Sequence, residues 1–126
     1  MKIILDASAW IEYFQDTPHA VKIEEYLQKN ECITLSISLA EVTAKALLAG
    51  KNPDEAIRGI QVLSHIMPAD EELALSAAQI YSKKRKTHTK FSLSDAFLVA
   101  LAQKIEAKIL TKDSDFVGFR EAIILR

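Results

Sequence analysis

Ile3-Ile4-Leu5-Asp6-Ala7-Ser8-Ala9-Trp10-Ile11 is the stretch from which the rest of the chain can be read. Three consecutive large aliphatics, two of them β-branched, put apolar side chains on both faces of an extended segment. A strand of that kind is buried on both sides, as strands are in a parallel sheet covered by helices. The run stops at an aspartate, and a short helical segment carrying Trp10, Ile11 and Phe14 follows.

Working outward, strands and helices alternate. Cys32-Ile33-Thr34-Leu35 reads as a second strand, and Ile66-Met67 as a short edge strand ending at Pro68. Lys108-Ile109-Leu110-Thr111 and Ile123-Ile124-Leu125 read as the last two. Helical spacing runs from Pro18 to Lys29 (Ala20, Ile23, Leu27) and from Ser38 to Ala49 (Leu39, Val42, Ala46), where Gly50 closes the helix. Asn52-Pro53-Asp54-Glu55 starts a helix with Ile57, Ile60 and Leu63, and Asp70 caps another with Leu73, Ala77, Ile80 and Tyr81. A helix from Ser92 to about Ile105 is apolar all round between Ala96 and Ala102, which places it centrally. Asp113 to Phe119 is a loop or single turn. This alternation predicts an α/β chain with a mainly parallel central sheet covered on both faces. Ligand sites in such sheets lie beyond the carboxyl ends of the strands.

Composition sets the bounds. The 126 residues, 49% of them apolar, suit one domain spanning 1–126 with a filled core. Three Gly and three Pro are too few turn residues for an all-β chain. With a formal net charge of −1, a polyanion has to be held by a local basic patch or a metal. The single cysteine, Cys32, excludes an internal disulfide and a Cys-rich zinc site, and fits a reducing cytoplasm. The opening residues read as a strand, not a signal segment, and the most apolar stretch is too short to span a bilayer, so no membrane role is expected. Trp10, Tyr13 and Phe14 lie together and read as packing or, if exposed, as a partner surface.

The acids carry the chemistry. Asp6 ends the first strand, and Glu41 falls in the first turn of the helix after the second. Asp95 falls in the first turn of the central helix, Asp113 follows the strand ending at Thr111, and Asp115 is two residues further on. Strand carboxyl ends and helix amino ends share one edge of a parallel sheet, so these distant carboxylates are expected to converge. Crowded carboxylates repel one another and take up protons unless a cation relieves them. Mg²⁺ or Mn²⁺ is the hard, oxygen-seeking choice, able to activate water and screen a phosphodiester.

Taken singly, each acid has an ordinary role. Ser38-Leu39-Ala40-Glu41 and Ser92-Leu93-Ser94-Asp95 both match a helix capping box. Asp6 can cap a turn or helix, and Asp113 and Asp115 can bond their own backbone. The joint placement favours metal binding, and a carboxylate can cap with one oxygen while binding metal with the other. Ser8 and Thr111 carry hydroxyls suited to orienting a carboxylate or a metal-bound water. Alone, they read as a helix cap and a strand residue. Lys83, Lys84, Arg85, Lys86 and Lys90 form the strongest charge run, either a phosphate-contacting arm or a solvated helix end favoured by the dipole. His88, within it, reads as an exposed loop residue.

These segments, in order, resemble the four motifs of PIN domains. Ile3 to Ile11 resembles the first, usually a strand followed by Asp-Thr-Ser or Asp-Ser-Ser, with Ala7 in place of the middle residue. Ser36 to Val42 resembles the second, with Glu41 as its acid. Leu93 to Ala102 resembles the third, with Asp95. Leu110 to Phe116 resembles the fourth, with Asp113 favoured as the ligand and Asp115 as its neighbour. The length is similar to that of the toxins of VapBC toxin–antitoxin pairs. The resemblance implies a three-layer α/β/α fold and an endoribonuclease dependent on Mg²⁺ or Mn²⁺. It also implies a homodimer and inhibition by a small antitoxin protein. The competing readings are a catalytically silent PIN-like module that binds RNA or protein, and a housekeeping RNA-processing nuclease. An aspartyl phosphatase typically needs an acid where Ser8 stands, and a dinucleotide-binding enzyme needs a Gly-rich turn after the first strand, which is absent.

Overall fold

The computed structural model describes residues 1–126. Five strands form one sheet: β1 (Lys2–Leu5), β2 (Glu31–Leu35), β3 (His65–Met67), β4 (Lys108–Thr111) and β5 (Ala122–Ile124). Their order is β3-β2-β1-β4-β5, and every pairing is parallel. The helices are α1 (Ala7–Phe14), α2 (Ala20–Lys29), α3 (Ser36–Leu48), α4 (Asp54–Leu63), α5 (Glu71–Lys84) and α6 (Leu93–Ile105). A single 3₁₀ turn, Ser114–Phe116, lies between β4 and β5.

The side-chain period of two in β1 divides the core. Ile4 joins Ile33, Ile109, Val99 and Leu101 in the core beneath α5 and α6. Ile3 and Leu5 point the other way and join Trp10, Ile23, Val42 and Ile60 from α1 to α4. Each fully buried aliphatic contributes about 1.5–3 kcal/mol relative to exposure. The mainly parallel, doubly covered α/β sheet read from the sequence is therefore present, with α6 against β1 and β4 and packed on α5.

Strand order locates the crevice. From β1 the chain steps outward to β2 and β3, then crosses back to β4 on the other side of β1. Such a switch point leaves a gap above the carboxyl ends of the two central strands. Asp6 follows one of these strands and Asp113 the other.

Several boundaries shift. α3 begins at Ser36, directly out of β2, with Leu35 at its N-cap and no side-chain cap. Ser38 is therefore an interior residue, 1% exposed, and Glu41 lies in the second turn instead of the first. The capping box expected over Ser38–Glu41 does not exist, because the helix was already nucleated two residues earlier. α1 is capped by Asp6, whose Oδ1 accepts from the Ala9 amide, and not by Ser8. β5 closes one residue earlier than expected, at Ile124. Trp10 is wholly buried and donates its Nε1–H to Thr34 Oγ1 at 3.0 Å, whereas Phe14 reaches the surface. There it lies over Gly59 of α4, where a Cβ would come within 3.0 Å of the ring.

Candidate metal centre

Asp6 is set by its cap geometry. Its Oδ1 accepts from the Ala9 amide at 2.9 Å and from Ser8 Oγ at 2.7 Å, while Oδ2 accepts from Thr111 Oγ1. Thr111 Oγ1 also accepts from the Asp113 amide at 2.9 Å. Ser8 Oγ accepts from the Lys112 amide at 2.9 Å. Two hydroxyls thus tie the end of β1 to the segment leaving β4, orienting Asp6 and the backbone of Asp113 together.

Asp95 reaches the same edge by a different route. Ser92 Oγ accepts from the Asp95 amide, and Asp95 Oδ2 accepts from the Ser92 amide, each at 3.0 Å. This is a complete capping box, and it leaves Oδ1 without a protein partner. Asp113 Oδ1 accepts from the Asp115 amide at 2.8 Å and starts the 3₁₀ turn, which brings Asp115 back toward Asp95. One carboxylate oxygen from each of Asp95, Asp113 and Asp115 can be chosen so that all three lie within 4.8 Å of one another. Asp115, expected only as a neighbour of Asp113, is an equal member of that triplet.

Glu41 faces this group from α3. It makes no hydrogen bond or ion pair within the chain. Desolvation pushes its carboxyl up from the usual range, and the charges of Asp6 and Asp95 push it further. Burial raises the Asp6 carboxyl despite three hydrogen bonds that favour its charged form, with Asp113 adding repulsion. Asp95 is likewise raised by burial, then by Asp113 and Asp115, against the lowering effect of its cap. The mutual repulsion links all five acids into one electrostatic unit.

None of the five makes an ion pair with Lys, Arg or His. A crowd of oxygen donors that repel one another and have no internal counter-charge fits a hard divalent cation. The triplet's spacing allows one ion to touch several carboxylates at once.

The basic run is less free than its sequence suggests. Lys84 Nζ lies 5.1 Å from the centre of the Phe119 ring, and His88 packs on the same ring. Arg85 donates to the Tyr81 hydroxyl and to the Phe91 carbonyl. Lys83, Lys86 and Lys90 are exposed, and none has an ion-pair partner. Phe91, Phe116 and Phe119 form one aromatic cluster that joins the run to the 3₁₀ turn bearing Asp115.

Sequence reading missed one cluster beside the centre. Glu12, on α1, accepts from His19 at 2.8 Å and pairs with Lys112 Nζ at 3.3 Å, both through Oε1. The spacing Ser8–Glu12 (one helical turn) was the available signal, but its partners at positions 19 and 112 are not predictable from spacing.

A parallel α/β sheet with an uncompensated acidic crevice at its switch point defines the class, and the PIN-domain family model matches residues 3–121. The chain belongs to the PIN-domain family. It is 31% identical over 121 residues to ribonuclease VapC11 of Mycobacterium tuberculosis, covering 90% of this chain and 88% of that one. Its fold is similar to that of VapBC2 from Rickettsia felis bound to a promoter DNA fragment. That match has a TM-score of 0.79 and 14% identity, over 98% of this chain and 97% of that one. A toxin–antitoxin complex from Klebsiella pneumoniae matches with a TM-score of 0.77 and 17% identity, over 98% of both chains. No helix is long and apolar enough to cross a membrane.

Proposed function

We propose that this protein is an endoribonuclease dependent on Mg²⁺ or Mn²⁺, acting as the toxin of a toxin–antitoxin pair in the cytoplasm. The observation that carries the reading is the convergence of five carboxylates with no cationic partner at the sheet's switch point. Similarity to a VapC ribonuclease supports RNA as substrate, and fold similarity to toxin–antitoxin complexes supports a small antitoxin as partner. The same family resemblance extends the proposal to a homodimer.

Asp6, Glu41, Asp95 and Asp113 would hold the ion, with Asp115 completing the set. When bound, the ion supplies water activation and charge screening at a phosphodiester. The chain's own part is positional. Ser8 and Thr111 hold Asp6 in one rotamer, and Ser92 holds Asp95 with one oxygen free. Lys83, Lys86 and Lys90 offer exposed charges for flanking phosphates, while Lys84 and Arg85 pack the run onto aromatic rings.

The test is cleavage of a labelled single-stranded RNA by the full chain. Cleavage is expected with Mg²⁺ or Mn²⁺, absent with chelator, and reduced by more than about 100-fold in Asp6→Asn and Asp95→Asn, exceeding the ~10–100-fold typical of losing an outer partner of a metal ligand. RNA that binds but stays intact in either metal would instead identify a silent binding module.

A further inference from the structure

The lysine nearest in sequence to the acid crevice does not enter it. Lys112 stands between Thr111, bonded to Asp6, and Asp113, yet its ammonium pairs with Glu12 at 3.3 Å. An ammonium on a flexible four-carbon stem, one residue from Asp113 in a group of five unpaired carboxylates, is drawn toward them by Coulomb attraction. Any lysine that did so would occupy the space and charge that a cation needs.

Glu12 accounts for the diversion. It lies one helical turn beyond Ser8, so α1 holds Lys112 at two points. Ser8 Oγ accepts the Lys112 amide, and Glu12 Oε1 takes the side chain. Glu12 is 9% exposed, so its carboxylate is held in place at the protein end of the pair while the Lys112 side chain stays half-exposed. His19 Nδ1 fixes the same Oε1 at 2.8 Å, which keeps the carboxylate from turning away. Burial alone would push the Glu12 carboxyl up, but His19 and Lys112 hold it below the usual range, so it stays charged.

We propose that Glu12 is a positioning residue that keeps Lys112 out of the metal crevice, so that the crevice stays open to a divalent ion. The proposal rests on the metal-centre reading above and adds a residue outside the acid set. It makes a prediction that a plain structural pairing does not: the harm of losing Glu12 should depend on Lys112 being present.

The test is Mn²⁺ affinity of the full chain, by calorimetry or electron paramagnetic resonance, with folding checked by circular dichroism. Glu12→Gln should weaken Mn²⁺ binding roughly tenfold, as a released ammonium competes at short range. Adding Lys112→Met to Glu12→Gln should restore the wild-type affinity to within about twofold. Lys112→Met alone should bind Mn²⁺ at least as tightly as wild type, since it removes the competitor. Unchanged affinity in Glu12→Gln, or no restoration in the double variant, overturns the proposal. Should Glu12→Gln fail to fold, the single Lys112→Met decides: weaker binding there makes the pair a clamp for the metal loop and overturns the proposal. Wild-type protein that binds no Mn²⁺ overturns the metal-centre reading itself, a result distinct from either.

Discussion

Asp6 caps α1 and Glu12 lies within it, six residues on, and their carboxyls move in opposite directions. Asp6 is 5% exposed and meets only neutral donors, the Ala9 amide and the hydroxyls of Ser8 and Thr111. Burial wins over those bonds, Asp113 adds repulsion, and its carboxyl is pushed up. Glu12 is 9% exposed and meets His19 and Lys112, which outweigh burial and hold its carboxyl down. Depth and charge placement both separate them: the Asp6 carboxyl bears the larger desolvation cost, and only Glu12 has positive charge beside it. The chain has cations close at hand and spends one on Glu12 while leaving Asp6, Glu41, Asp95, Asp113 and Asp115 without any. An acid group left in that condition is unfavourable for folding and useful only if something positive arrives from outside.

That contrast is most sharply tested by supplying the missing charge. Ions that bind only the native state stabilise it by about 2.7 kcal/mol at a hundredfold excess over Kd. For a chain of this size that corresponds to a rise of roughly 10 °C in melting temperature. Scanning fluorimetry with Mn²⁺ should show such a rise in wild type and lose most of it in Asp95→Asn. An equal rise in both would place the ion elsewhere and dissolve the distinction between the two carboxylate environments.

How far this was legible in the sequence differs between backbone and site. Ile3-Ile4-Leu5 announced a strand buried on both faces, and its alternate side chains do supply two separate cores. The five strands and the central α6 followed from apolar runs and their caps. The two Ser-x-x-acid segments were indistinguishable by pattern, yet only Ser92–Asp95 is a capping box. The reason lies before the motif: α3 continues from β2 without a break, so its start is set by Leu35, not by Ser38. Nor could spacing show that Asp113 folds Asp115 back toward Asp95, because that depends on a hydrogen bond of the 3₁₀ turn. The Glu12–Lys112 pair joins positions 100 residues apart, on elements brought together only by the β1–β4 pairing.

A third charge environment, the basic run, sharpens the comparison from the opposite sign. All five cations are exposed and none has a carboxylate partner, but Lys84 and Arg85 lie over the rings of Phe119 and Tyr81, which leaves Lys83, Lys86 and Lys90 as the freer three. Replacing those three by Gln should weaken RNA binding and reduce the magnitude of its log–log salt slope by about 2, at ~0.7 per contact with a single strand. Melting temperature should stay nearly constant, because no intramolecular ion pair is lost. An unchanged slope would make the run a solvated end of α5, where its positive charge suits the helix dipole.

The smallest effect isolates the strain of unrelieved charge in the metal-free chain. Asp6, Glu41 and Asp95 all have carboxyls raised above their ordinary values. A group that binds its proton more tightly when folded makes stability fall as pH rises from the ordinary carboxylate range through the raised value. Above that window the penalty is complete, and below it the penalty is gone. Asp95→Asn keeps an oxygen for the Ser92 amide and removes one charge from the cluster, so without metal it should melt a few degrees above wild type at pH 7.5. Acidification should shrink that advantage as wild type takes up the proton that the variant never needed. Glu12 runs the other way: its lowered carboxyl supports the fold above the ordinary range and fails only in stronger acid. Differential scanning calorimetry of both proteins in chelator between pH 5 and 7.5 reads this directly. A gap in melting temperature that does not change with pH would mean that Asp95 carries no repulsive burden, and that its carboxylate is reconciled within the chain as fully as Glu12 is.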